Sequence, residues 1–167
     1  GFSPADLNYA EEFALPLYLV NSQDGSWSEY VPSTYRVDLI GRQFAWGLQD
    51  CYELLRVYFR QTLGVQMGDY DRDDSCGHED QGTIMARYEA EGFTWIEPDP
   101  AAIQLHDVLL FRTERAMPQH FGVFIGNGGR MLHHLQNSLS RPELLTDRWF
   151  SRLHGICRHN SLVSRVT

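Results

Sequence analysis

Cys51 sits between Asp50 and an apolar-periodic run in the stretch QDCYELLRVYFR. Asp50 is a good helix N-cap, and Glu53 three residues later completes a capping-box pattern. Cys51 is then the first helical residue, with its sulfur beside the unpaired amide N–H groups and the positive end of the helix dipole. A thiolate is stabilised there, which raises the fraction of nucleophile at neutral pH. The Asp50 and Glu53 carboxylates act the other way, so a cationic partner is needed, and histidine is the usual one. A free cysteine on an apolar helix face is most often a small packing hydrophobe. A matching pair of histidines is what changes that reading.

The stretch QHFGVFIGNGGRMLHHLQ carries His120, His133 and His134. Its alternation and its NGG predict a β-hairpin. A two-residue turn at Asn127–Gly128, or a four-residue loop over 126–129, pairs Gly122 with His133. His120, Gly122 and His133 then share one face, with the imidazoles diagonal to each other. A loop of three or five residues exchanges the faces and offers His134 instead. Gly122 leaves room between the histidines for another group. Cys51, His120 and His133 form a nucleophile, base and orienting set suited to acyl transfer. Cys51 attacks a carbonyl. His120 pairs with the thiolate and then protonates the leaving amine. His133 orients the His120 ring, and the N–H at the helix start meets the oxyanion.

The elements that must position these groups are legible in outline. Ser3, Pro4 and Asp6 mark a helix start, and LPLYLV reads as a strand. NSQDGSWSEYVPSTYR reads as a loop or linker, with a boundary near residue 37. The cysteine helix buries Leu54, Leu55 and Tyr58 beside Cys51 and ends at Gly64. MGDYDRDDSCGHEDQG reads as an acidic surface loop, and TIMARYEAE as a second helix closed by Gly92. FTWIEP, DVLLFR, HFGVFIG and RMLHHLQ read as strands, with HGICRH closing the sheet. One strong helix followed by antiparallel strands predicts an α+β domain.

Composition limits the function. The 167 residues carry a formal charge of -8, and all 14 cations are Arg. Such a surface is not built to neutralise phosphates, so no nucleic-acid partner is expected. The apolar runs are too short for a membrane span. Three separated cysteines argue for free thiols rather than a disulfide framework. Cys76 and His78 lack the spacing partners of a zinc site. Arg42, Arg56 and Arg130 are candidate carboxylate binders, although each also reads as a solvated surface arginine.

The helix DCYELLRVYFR, the strand LHDVLLF and the hairpin QHFGVFIGNGGRMLHH together resemble the NlpC/P60 family of cysteine peptidases. They match that family's Asp-Cys-x-x-Leu, Pro-Gly-Asp-Leu-Val-Phe and His-x-Gly motifs over roughly 38–160. GRQFAWGLQD, DYDR and MLHHLQNSLSRPE resemble the branch found in tail-tip assembly proteins of lambda-like phages. The resemblance implies a papain-like α+β fold with catalytic Cys51, His120 and His133, and no cofactor. It implies hydrolysis of amides in peptidoglycan stem peptides, between D-glutamate and a diamino acid. It implies other tail-tip proteins as partners, the host cytoplasm during assembly, and the virion tail tip. SPAD is similar to the end of the metal motif of a JAMM-type domain that precedes the peptidase in that branch. Residues 1–37 are therefore expected to be a remnant of that domain or a linker, and 38–167 the peptidase, with no zinc site in this chain. Two residues depart from the pattern: His106 replaces a glycine before Asp107, and Phe44 replaces a frequent tyrosine. A tail-tip building block with weak or absent catalysis, or a processing enzyme for a tail protein, is the rival reading.

Overall fold

A computed structural model describes residues 1–70, 87–112 and 118–163 of the protein. Cys76, His78, the acidic stretch beyond Tyr70 and the start of the expected second helix lie outside these residues. Its described end, 87–92, is turn.

Helix α1 spans Pro4–Phe13 and is held by a capping box. Ser3 Oγ accepts from the Asp6 N–H at 3.2 Å, and the Asp6 carboxylate accepts from the Ser3 N–H at 2.8 Å. Strands β1 (Leu17–Val20) and β2 (Trp27–Tyr30) pair as a separate two-stranded antiparallel sheet. This corrects the reading of 21–36 as a loop throughout. β2 is four residues long, exposed in its first half and half-buried in its second, so it shows no apolar alternation. Its partner defines it: Trp27 packs on Tyr18 across the hairpin, with ring centroids 6.3 Å apart.

Helix α2 spans Cys51–Leu63 and ends at Gly64 in the left-handed region (φ 70). Leu54, Leu55 and Tyr58 are buried beside Cys51, as the spacing predicted. The main sheet has six antiparallel strands. They are β3 (Phe93–Ile96), β4 (Val108–Arg112), β5 (Pro118–Gly126), β6 (Arg130–His133), β7 (Arg141–Leu144) and β8 (Leu153–His159), in the order β3-β8-β4-β5-β6-β7. The last strand does not close an edge. β8 inserts between β3 and β4, where its buried Gly155–Cys157 centre is covered on both faces.

The sheet separates two apolar layers. On one side α2 packs Leu54, Leu55 and Phe59 against Val108, Leu110, Phe121, Val123 and Leu132. On the other, Leu109, Phe111, Met131 and Ile156 pack with Trp149 from the short helix α3 (Asp147–Phe150). β4 is buried on both faces, which explains its unbroken apolar run. A helical turn at Asn160–Val163 follows β8. The protein is an α+β fold, as expected.

Candidate active site

Asp50 is 1% exposed and spends both carboxylate oxygens on backbone donors. Oδ1 accepts from the Glu53 N–H at 2.8 Å, and Oδ2 from the Gly47 N–H at 3.0 Å. The cap therefore fixes both the first turn of α2 and the turn leading into it. Glu53 does not complete the expected capping box. Its carboxylate takes Arg56 at 2.6 Å instead, which neutralises one of the charges that oppose a thiolate. Cys51 is the first residue of α2, 7% exposed, in the core layer on the α2 side.

The hairpin keeps the predicted pairing by an unpredicted route. Gly126 pairs with Arg130, so the loop is the three residues 127–129, which alone would exchange the faces. A bulge between Phe124 and Gly126 inserts one residue and restores the parity, and Gly122 opposes His133. Gly122 does not leave open space. A Cβ there would lie 2.9 Å from Met131 Sδ and 3.3 Å from His133 Cβ, so the facing strand fills the gap.

His120 and His133 meet, Nε2 to Nδ1, at 3.0 Å. His133 Nε2 in turn lies 3.2 Å from Glu143 Oε2. Trp149 Nε1 donates to Glu143 Oε1 at 2.7 Å, and Arg141 to Oε2 at 2.9 Å. Burial works to raise the Glu143 pKa, but these two donors outweigh it and the carboxyl stays low. Burial lowers His133, against the pull of Glu143. Burial, with smaller contributions from His133 and His134, drops His120 to about 3. Both rings are therefore neutral near pH 7, and the ionised Glu143 dictates their tautomers. A carboxylate only accepts, so His133 carries its proton on Nε2 and presents a bare Nδ1. His120 then donates through Nε2, and its own Nδ1 is left as the base.

Alternation along β5 puts Phe121 and Val123 in the α2 layer, whereas His120 and His133 stack with Phe111 and Trp149 on the other side. His134 takes the α2 side. It is 1% exposed, its ring centroid is 5.2 Å from that of Phe44, and neither ring nitrogen makes a hydrogen bond. Burial lowers its pKa despite the nearby Ser138 and Arg42 carbonyls and the Asp50 charge. Backbone bonds tie the segment before α2 to the segment after His134: Gly41 N–H to Ser140 O at 2.8 Å, and Ser140 N–H to Arg42 O at 3.0 Å.

Of the candidate carboxylate binders, Arg56 is already committed to Glu53, Asp69 and Glu29. Arg42 has a buried NH1 without a hydrogen bond, and Arg130 opens β6 on an exposed position. Glu143, Arg141 and Trp149 were not picked out in the sequence. Their approach depends on β7, whose Pro142 hides it from a strand search, and the one available signal was an acid within reach of the histidine strand.

The NlpC/P60 family matches residues 41–158. Tail tip assembly protein K of Escherichia phage lambda is 34% identical over 123 residues, covering 74% of this chain and 60% of that protein. Tail tip assembly protein K of Escherichia phage N15 is 28% identical over 164 residues, covering 95% and 65%. The chain thus spans about 60–65% of the length of these curated relatives. A solved NLP/P60-family structure from Staphylococcus aureus, described as similar to lipoprotein, covers 91% of this chain and 61% of its own. It has 14% identity and a TM-score of 0.43.

Proposed function

The chain belongs to the NlpC/P60 family, and we propose that it is a phage tail-tip cysteine peptidase that hydrolyses amide bonds in peptidoglycan stem peptides, of the D-glutamyl–diamino acid type. The observation that carries this reading is Cys51 at the capped, buried start of α2 within the family match. The His120–His133–Glu143 relay lies on the face of the sheet away from the α2 layer, and His134 on the α2 side. In this reading the histidine base, His120 by the family pattern, takes the Cys51 proton as sulfur bonds to the scissile carbonyl carbon. The carbon–nitrogen bond then breaks and the amine leaves with that proton. Water hydrolyses the thioester, returning the thiol and a free acid. The Cys51 N–H at the helix start is the oxyanion donor. A neutral His120 acts as a general base, so the thiolate forms on demand and not as a standing ion pair.

Residues 1–37, with their own two-stranded sheet, are read as a preceding unit or linker, and 38–167 as the peptidase domain. Other tail-tip proteins are the proposed partners. The host cytoplasm during assembly and the virion tail tip are the proposed sites of action.

Digestion of purified peptidoglycan tests the activity. Wild-type protein should release new amino groups and stem-peptide fragments, and Cys51→Ala should release none. Equal products from both would favour an assembly protein without peptidase action, or one that processes a tail protein, a reading that Phe44 in place of the family's frequent tyrosine keeps in view. Brief iodoacetamide labelling identifies the base. His120→Ala should slow labelling of Cys51 and His134→Ala should not; the reverse result would transfer the role to His134.

A further inference from the structure

A cavity of about 1210 Å³ opens between β2, the 46–48 turn, the outer flank of α2 and segment 66–70. Four of its lining residues, Trp27 among them, precede the part of the chain that matches the family. Its charges are unevenly paired. Arg56 gathers the carboxylates, with Glu53 at 2.6 Å, Asp69 at 3.3 Å and Glu29 at 3.4 Å. Arg87 lies over the Tyr70 ring at 4.4 Å. Arg60 has no carboxylate partner among the described residues. Its guanidinium carbon is 5.7 Å from the Tyr35 ring centroid, and its buried Nε has no hydrogen bond. Trp46 lines the same cavity, and its Nε1–H is buried away from solvent without an acceptor.

We propose that this cavity binds a short peptide by its free carboxylate, which Arg60 holds, while Trp46 and Trp27 form apolar walls. One guanidinium without a carboxylate partner among the described residues, beside two acidic groups, suits a monoanion, and Glu29 and Asp69 repel a dianion such as phosphate. The aromatic walls and the amide acceptors of a peptide fit the remaining surface. The cavity reaches Gly47, whose N–H bonds Asp50, so its occupant ends beside the start of the cysteine helix. The carboxylate has two sources, a wall stem peptide or the end of a protein chain. The proposal stands whether or not Cys51 is a nucleophile.

Titration calorimetry on the Cys51→Ala protein tests it without turnover. The probes are a stem tetrapeptide and a linear L-tetrapeptide, each as the acid and with every carboxylate amidated. At least one acid should bind, and its amide should bind about tenfold more weakly. Arg60→Met should lose a similar factor, Arg60→Lys should recover part of it, and the exposed Arg148→Ala should change nothing. Binding of the stem peptide alone assigns the wall as the source, binding of the L-peptide alone assigns a protein terminus, and binding of both leaves the carboxylate as what is recognised. No binding by either acid, or equal binding of acid and amide, overturns the proposal. The acid–amide comparison needs no change at Arg60, so it holds even where Arg60→Met fails to fold.

Discussion

Protonating His120 means charging a ring that is 3% exposed and already donates through Nε2 to His133. Its pKa is lowered from 6.5 to about 3, so between those values the unfolded chain binds a proton that the folded chain does not. The stability from this group is complete above about pH 6.5 and is lost as pH falls toward 3, by up to about 1.4 kcal/mol per pH unit. Urea unfolding at pH 7, 5.5 and 4 should therefore show a shallower acid loss in His120→Gln than in wild type. Identical slopes would mean that the ring is not held neutral. Cys157 offers a contrast among thiols. Burial, then the Asp107 charge, pushes it up to about 12, so it should resist alkylation while Cys51 is labelled. At this scale the sequence was informative because the cap at Asp50 and the alternation around His120 are local. Glu143 was not legible, since its link to His133 exists only through a strand pairing. His106 shows the opposite case. It has φ 73, the conformation for which the family's usual glycine is suited, and its Nδ1 takes a 2.7 Å hydrogen bond with the Tyr58 hydroxyl.

Register in the hairpin was right although the loop was not. Loop length and bulge are coupled, and a two-residue turn cannot be told by pattern from three residues plus a bulge, because both keep the apolar side chains inside. The same coupling hid β2 and β7, which are short and gain their identity from the strands they pair with. In β8 a glycine reports the packing directly. Trp95 pairs with Cys157, and its indole runs diagonally over Gly155, so an added Cβ would land on the ring. Gly155→Ala should displace Trp95 and cost about 1–3 kcal/mol, read as a shift of the denaturation midpoint with an unchanged slope. A neutral result would show that the indole can move aside freely. The histidine relay lies two strands away, so the effect on Cys51 labelling should be small.

A buried ion pair ties the entry of β4 to β8. Asp107 is fully buried at the start of β4 and receives Arg158 of β8 twice, Nε to Oδ1 at 2.8 Å and NH2 to Oδ2 at 2.7 Å. It also accepts the Gln104 N–H at 2.7 Å, and Arg158 NH2 donates to Ala102 O at 2.8 Å. One carboxylate thus ties the entry loop of β4 to a strand nearly at the end of the chain. β4 and β8 are neighbours, and their core layers face both α2 and Trp149, so loosening this clip reaches both sides of the candidate site. A bidentate pair of this kind is close to neutral against an apolar replacement of both partners, but removing one partner strands the other charge. Asp107→Ala should therefore cost about 3–5 kcal/mol, whereas Asp107→Ala with Arg158→Met should recover a large part of that loss. Urea denaturation of the two single variants and the double variant forms the cycle. A double-variant loss equal to the sum of the two single losses would show that the pair contributes no coupling, and that β4 and β8 hold together through their apolar layers alone.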